Sequence, residues 1–121
     1  MSTADELLTR RPDLAAPLDA YRVSLRATPL DDALLDRCAQ LVQRRIARTS
    51  EPGASEGDDA RTRAVLMFAD QFVIDPHGID DSMRDDVLDH LSPAELAVLV
   101  QWLAITDGLA RFSTVLAGLG T

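Results

Sequence analysis

Residues 91–105 read LSPAELAVLVQWLAI, and this stretch decides the fold. Ser92-Pro93-Ala94-Glu95 has the form of a capping box with proline at the first helical position. The serine hydroxyl can accept from the Glu95 N–H while the glutamate reaches back to the Ser92 N–H. Leu91 before the box and Leu96 within it are placed to form a hydrophobic staple. From Leu96 to Ile105 only Gln101 is polar. That run is short of the roughly 20 apolar residues a membrane span needs. A helix apolar nearly all round is buried on most sides. In a chain of 121 residues, part of that burial is expected from a second subunit, so a homo-oligomer joined through the last helix is predicted.

Upstream, helical signals repeat. Thr28-Pro29-Leu30-Asp31 predicts an N-cap threonine, a proline at the first position and an acid at the third. The helix it opens should run to about Arg48. Leu34, Cys38, Leu41/Val42 and Ile46 form its buried stripe at steps of three and four. Asp31 and Asp32 at its front, with Arg44, Arg45 and Arg48 at its back, complement the helix dipole. Residues 50–59 hold Pro52, Gly53, Ser55 and Gly57 and predict a loop. A third helix is expected over residues 59–74, with Ala64, Val65, Phe68, Ala69 and Phe72 inward and Pro76 closing it. His77-Gly78 turns the chain. A short acidic helix over about 81–89 should bury Met83, Val87 and Leu88. Residues 1–27 predict a polar lead and then a helix over about 15–26, its apolar side made by Leu18, Tyr21, Val23 and Leu25. The fold class is therefore all-α, a single-domain bundle of about five helices: a lead and first helix over 1–27, and the main helical part over 28–121.

Composition narrows the function. The net charge of −8 repels polyanions at long range, so no DNA or RNA partner is expected. The first 13 residues lack a basic region followed by an apolar one, so no secretory signal is read and a cytoplasmic location is expected. A single cysteine, Cys38, excludes a disulfide framework and an intrachain dithiol cycle. The core must be built mainly of Leu, Val, Ile and Ala, since the chain has one Trp, one Tyr and three Phe.

Three segments carry a family resemblance. Arg63-Ala64-Val65-Leu66-Met67-Phe68-Ala69-Asp70-Gln71-Phe72-Val73-Ile74-Asp75-Pro76-His77-Gly78 resembles a stretch typical of carboxymuconolactone decarboxylase-like proteins, the AhpD-like superfamily. Leu34-Leu35-Asp36-Arg37-Cys38-Ala39-Gln40-Leu41 is similar to another helix of that family, and Asp107 with Arg111 to an acid–arginine pair on its closing helix. The resemblance spans roughly residues 28–116. It implies an oligomeric helical bundle with pockets among the helices. Peroxidase members of the family carry Cys-x-x-Cys-x-x-x-His with an upstream acid, and this chain departs from that motif in either register. With Cys38 as the first cysteine, Leu41 stands at the second and Arg45 at the histidine. With Asp36 as the upstream acid, which fits the helix better, the cysteines fall on Arg48 and Glu51 and the histidine on Ser55. Either way the dithiol is lost.

The resemblance then implies one of two functions. One is a cofactor-free acid–base decarboxylase or isomerase acting on a small organic acid or lactone, and the other is a non-catalytic accessory subunit. Asp36, His77 and Asp107 are the catalytic candidates. Arg111, Trp102 and Arg45 are the substrate-binding candidates, with the arginine fork as carboxylate receptor. Each has a plainer reading. Asp107 and Arg111, four apart, can form a structural ion pair. His77 can be a solvated turn residue, and Arg44, Arg45 and Arg48 solvated charges at a helix end. His90 can interact with the C-terminal carbonyls of the acidic helix. Cys38, mid-helix on an apolar stripe, reads as a buried structural cysteine. Asp80, Asp81, Asp85, Asp86 and Asp89 lack the spacing of a calcium loop and read as a solvated face. No zinc ligand set, phosphate loop or flavin signature is present, so no metal and no cofactor are expected.

Overall fold

In a computed structural model, residues 4–27, 30–49 and 53–119 are described. They form six α-helices and one 3-10 turn, with no strand among them. The helices are α1 (Ala4–Thr9), α2 (Pro12–Arg26), α3 (Asp32–Ile46), α4 (Ala60–Ile74), α5 (Asp81–Leu88) and α6 (Pro93–Gly118), and the 3-10 turn is Pro76–Gly78. The centre is α3 packed against α4 and α6, with α5 laid on α4 and α6, and α1 and α2 laid on α6.

The periodic positions make the core. α3 buries Leu34, Leu35, Cys38, Leu41 and Val42; α4 buries Val65, Leu66, Phe68, Ala69 and Val73; α6 contributes Leu99, Trp102 and Leu103. These side chains join Leu25, Leu30, Val87 and Leu91 in one cluster. Among the described residues no polar or charged residue is buried, so the core is held by shape and apolar area, with a buried hydrogen bond from the Trp102 indole to the Leu35 carbonyl.

The caps follow local chemistry. Ser92 accepts from the Glu95 N–H at 3.1 Å, and the Glu95 carboxylate accepts from the Ser92 N–H at 2.9 Å, so the capping box is present. Asp59 caps α4 through the Thr62 N–H at 2.8 Å, and Asp80 caps α5 through the Met83 N–H at 2.9 Å. Two helix ends differ from expectation. The cap of α3 is Asp31, whose carboxylate accepts from the Ala33 N–H at 3.0 Å. The predicted cap at Thr28 and Pro29 lies outside the described residues. Buried Leu30 holds the entering chain, and Asp31 has the extended backbone that capping needs. At the other end α3 stops at Ile46, not Arg48. Arg48 sits at φ 63, its N–H donating to Arg45 O and the Thr49 N–H to Arg44 O. This is a Schellman closure with arginine in the place that usually takes glycine.

The polar lead also holds a helix of its own. α1 is tied to α6 by the Ala4 N–H donating to Ser113 Oγ at 2.9 Å. α5 buries Val87, leaves Met83 half-buried and exposes Leu88.

α6 carries the Asp107–Arg111 pair expected on the last helix and runs on to Gly118, 26 residues in all. By length and composition alone it is long and apolar enough to cross a membrane, as core helices of soluble proteins also can be. Among the described residues it is buried mainly on one side; Phe112, Val115 and Leu119 stand exposed, with no described element over them.

Candidate functional site

Two concavities stand out. The larger, about 610 Å³, lies between α2, α3 and α6. Trp102 forms its floor, Arg22 and Arg26 of α2 and Gln43 of α3 stand along it, and Thr106 and Ser113 continue the α6 wall. The smaller, about 340 Å³, lies between α4 and α5, with Met67, Phe68 and Met83 beneath Asp86, Asp89 and His90.

The larger cleft is built from the sequence in a direct way. Trp102 is four residues before Thr106 on α6, and its indole N–H donates to the Leu35 carbonyl of α3 at 2.9 Å. That bond fixes the ring plane at the α3–α6 seam. Arg22 and Arg26, four apart on α2, share a face and reach over it. The Arg26 guanidinium lies 4.8 Å from the centre of the Trp102 ring, a cation–π contact. Its nitrogens also meet Asp36 at 2.5 Å and Asp32 at 3.5 Å. These partners, Asp36 first, raise the Arg26 pKa, so the cation is permanent. Arg22 lies 4.0 Å from Asp19. The described lining of the cleft therefore carries two guanidiniums and two hydroxyl-bearing threonines, Thr106 and Thr114, with Ser113 beside them. It carries no carboxylate, imidazole or thiol.

The six residues singled out by sequence are not brought together. Trp102 lines the cleft. Asp36 is exposed on α3 and bound to Arg26 outside the lining. His77 sits in the 3-10 turn with its side chain 96% exposed, its Nδ1 3.6 Å from Asp75. Asp107 keeps 23% of its side chain exposed and holds Arg111 at 3.0 Å, while Arg111 also donates to the Val73 carbonyl at 3.0 Å. This pair ties α6 to the end of α4. Arg45 makes a bidentate bond to Asp70 at 2.7 and 3.1 Å and donates to the Thr49 carbonyl, bracing α3 against α4. Arg37 does the same for the loop before α4, through Asp58 at 2.5 and 2.9 Å and the Gly53 carbonyl at 3.0 Å. The Arg37 guanidinium and the Ser55 N–H hold the Asp58 carboxyl well below the usual carboxylate range.

Cys38 is fully buried, and burial pushes its thiol up to about 12. A group so protonated and so covered is neither nucleophile nor ligand at neutral pH. Of the positions where a lost redox motif would fall, Leu41 is core, Arg45 is braced, Arg48 closes α3 and Ser55 receives Asp58 at its backbone. Glu51 lies outside the described residues. The His90 side chain stands beside Asp86 and Asp89 at the smaller groove, and its backbone N–H donates to the Val87 carbonyl. Among the described residues, no group of three or more His, Cys, Asp and Glu is placed to hold a metal.

Sequence reasoning found the floor of the cleft and missed its cations. The available signal was the spacing of Arg22 and Arg26 on one face of a helix whose apolar side was itself irregular. Comparison of the chain with protein-family models, with curated proteins and with solved structures finds no match.

Proposed function

We propose that this chain is a binding module that takes a small organic acid in the cleft between α2, α3 and α6 and does not transform it. One observation carries the reading. In a chain of net charge −8, the described lining of this cleft holds two arginines and no acidic group, over the chain's single tryptophan. An organic anion there would share the guanidiniums of Arg22 and Arg26 with Asp19, Asp36 and Asp32, and its carbon skeleton would lie against the Arg26–Trp102 stack. A volume of about 610 Å³ suits a molecule of that size. Acid–base turnover would need a carboxylate or imidazole within about 3 Å of the bound molecule. The described lining offers none, which favours binding over catalysis.

The same reading takes the fold as an AhpD-like helical arrangement that has lost its dithiol and assembles with copies of itself. Its support is the run from Arg63 to Gly78, the burial of Cys38 and the uncovered face of α6. Benzoate and succinate are suitable probes for the cleft, one aromatic and one divalent. Each should change Trp102 fluorescence saturably, and the paired change Arg22→Gln with Arg26→Gln should abolish the response while helicity persists. A response left intact in that double variant would refute the assignment.

A further inference from the structure

The outward face of α6 has an order that the folding of one chain does not require. Ala97, Gln101, Ala104, Gly108, Phe112, Val115 and Leu119 follow at steps of four, three, four, four, three and four, and all seven are exposed. Two such eleven-residue spans keep the stripe almost parallel to the helix axis, over roughly 33 Å. From Leu96 to Leu119 the only charged residues are Asp107 and Arg111, and they are paired with each other to one side. In a chain that is 26% charged, a surface helix ordinarily places its charges on such a face.

Gly108 sharpens the point. It costs the middle of a helix about 1 kcal/mol relative to alanine. A Cβ built on it meets nothing within 4 Å, so packing among the described residues does not call for the glycine, and it leaves the helix open there to close approach by a second backbone.

The size pattern identifies the occupant. The stripe is small before Gly108, apart from Gln101, and large after it: Phe112, Val115 and Leu119 are 43%, 57% and 70% exposed. Turned end over end about Gly108, the stripe maps onto itself in a complementary way. Ala97 falls opposite Leu119, Gln101 opposite Val115, Ala104 opposite Phe112, and Gly108 opposite Gly108. Each large side chain meets a small one or Gln101. That is the self-complementarity of an isologous two-fold contact, in which residue i meets j and j meets i. Gln101 is already satisfied, accepting from the Tyr21 hydroxyl and donating to the Ala97 carbonyl, so it can be covered without a new partner. The flat footprint, about 33 Å by a 10–12 Å helix width, approaches 400 Å² per copy before side-chain relief is counted. With that relief it is near the roughly 1,000 Å² total that a specific contact needs.

We infer that a second copy of this chain covers this face, its α6 running antiparallel with the two-fold axis passing at Gly108. Cleft and stripe lie on opposite faces of α6, so both clefts stay open, and the pairing stands or falls independently of what they bind.

Cross-linking of the full chain tests the register. Wild type serves as its own control, since Cys38 is buried. Under mild oxidation Gly108→Cys should link to itself. Ala97→Cys combined with Leu119→Cys should also link, and Ala97→Cys alone should not. Sedimentation of wild type should give twice 13.2 kDa at high micromolar concentration. Gly108→Leu should fall to the single-chain mass with its helical circular dichroism unchanged, since the isolated fold leaves room for the side chain. A monomeric wild type, a link from Ala97→Cys alone, or an unchanged mass in Gly108→Leu would overturn the inference. So would wild-type protein sedimenting with phosphatidylcholine vesicles and losing that behaviour in Val115→Arg, which would make lipid the occupant.

Discussion

Replacing Trp102 by phenylalanine should cost this fold about 2 kcal/mol. The magnitude follows from three losses. The indole donates to the Leu35 carbonyl in a buried place, and a hydrogen bond of that kind contributes about 1 kcal/mol net. The full penalty for an orphaned acceptor does not apply, because Leu35 lies inside α3 and its carbonyl has the helix ladder as a second partner. Phenylalanine is smaller by roughly 40 Å³, and an unfilled volume of that size costs about 1 kcal/mol at ~24 cal/mol per Å³. The contact with the partly exposed Arg26 weakens by a few tenths of a kcal/mol. For 121 residues, an unfolding entropy of about 2.1 cal/mol/K per residue makes 2 kcal/mol a fall of about 8 °C in Tm. Trp102→Ala should cost about 3–5 kcal/mol, a large share of the stability of so small a domain. Urea unfolding followed by circular dichroism is the assay, because the variants lose the fluorophore. Protein concentration must be held fixed, since a self-associating chain unfolds at a concentration-dependent temperature. A loss under about 0.5 kcal/mol for Trp102→Phe would refute the role given to the indole bond and to the seam it closes.

Cys38, buried with its thiol pushed up to about 12, holds only about one thiolate in ten thousand at pH 8. Ellman's reagent should leave it unlabelled in native protein and label one thiol per chain in urea; rapid native labelling would contradict the burial. Asp58, Asp59 and Glu95 all have folded pKa values lowered, by Arg37, the Thr62 N–H and the Ser92 N–H respectively. The unfolded chain therefore binds more protons in acid, so stability is fully present above about pH 5 and falls as pH drops through about 4 and below. Urea midpoints measured from pH 7 to pH 3 should fall, and Asp58→Asn should flatten the fall; a midpoint that rises in acid would reverse the sign. Arg45→Met and Asp70→Asn should each destabilise, with a coupling of about 1 kcal/mol in the double-mutant cycle. Neither should alter the Trp102 response to benzoate, and a lost response in Arg45→Met would return that arginine to the ligand site.

What could be read from sequence was what local chemistry determines. The capping box at Ser92 and Glu95, the end of α4 before Pro76 and the buried stripes of α3 and α4 each rest on a few adjacent residues. α1 was not legible, because six residues show no period and the helix is held by a bond to Ser113, more than a hundred positions away. The start of α3 was read at Thr28, three residues early, because Asp31 also caps well and the choice falls to where Leu30 anchors. The last helix was legible through Asp107 and Gly108 to Arg111, and only its continuation to Gly118 was not read. The site was harder still. Trp102 declared itself as the only tryptophan, but nothing local says which arginines reach it. Arg45 and Arg111 looked available in sequence and are bound to Asp70 and to Asp107 with Val73. Arg26, drawn over the indole by the packing of α2 on α6, is the cation that reaches the tryptophan.

Occupation of the cleft over Trp102 by an organic anion is directly measurable through the single indole resonance. In a ¹⁵N–¹H correlation spectrum the one indole N–H belongs to Trp102, and titration with benzoate or succinate reports on it alongside every backbone amide. Binding in the cleft should give saturable shifts of that indole signal and of the amides of Gln43, Thr106 and Ser113, with the α4–α5 groove around Met67 and Met83 unmoved. Shifts confined to that groove, or an indole signal that stays fixed through both titrations, would contradict it.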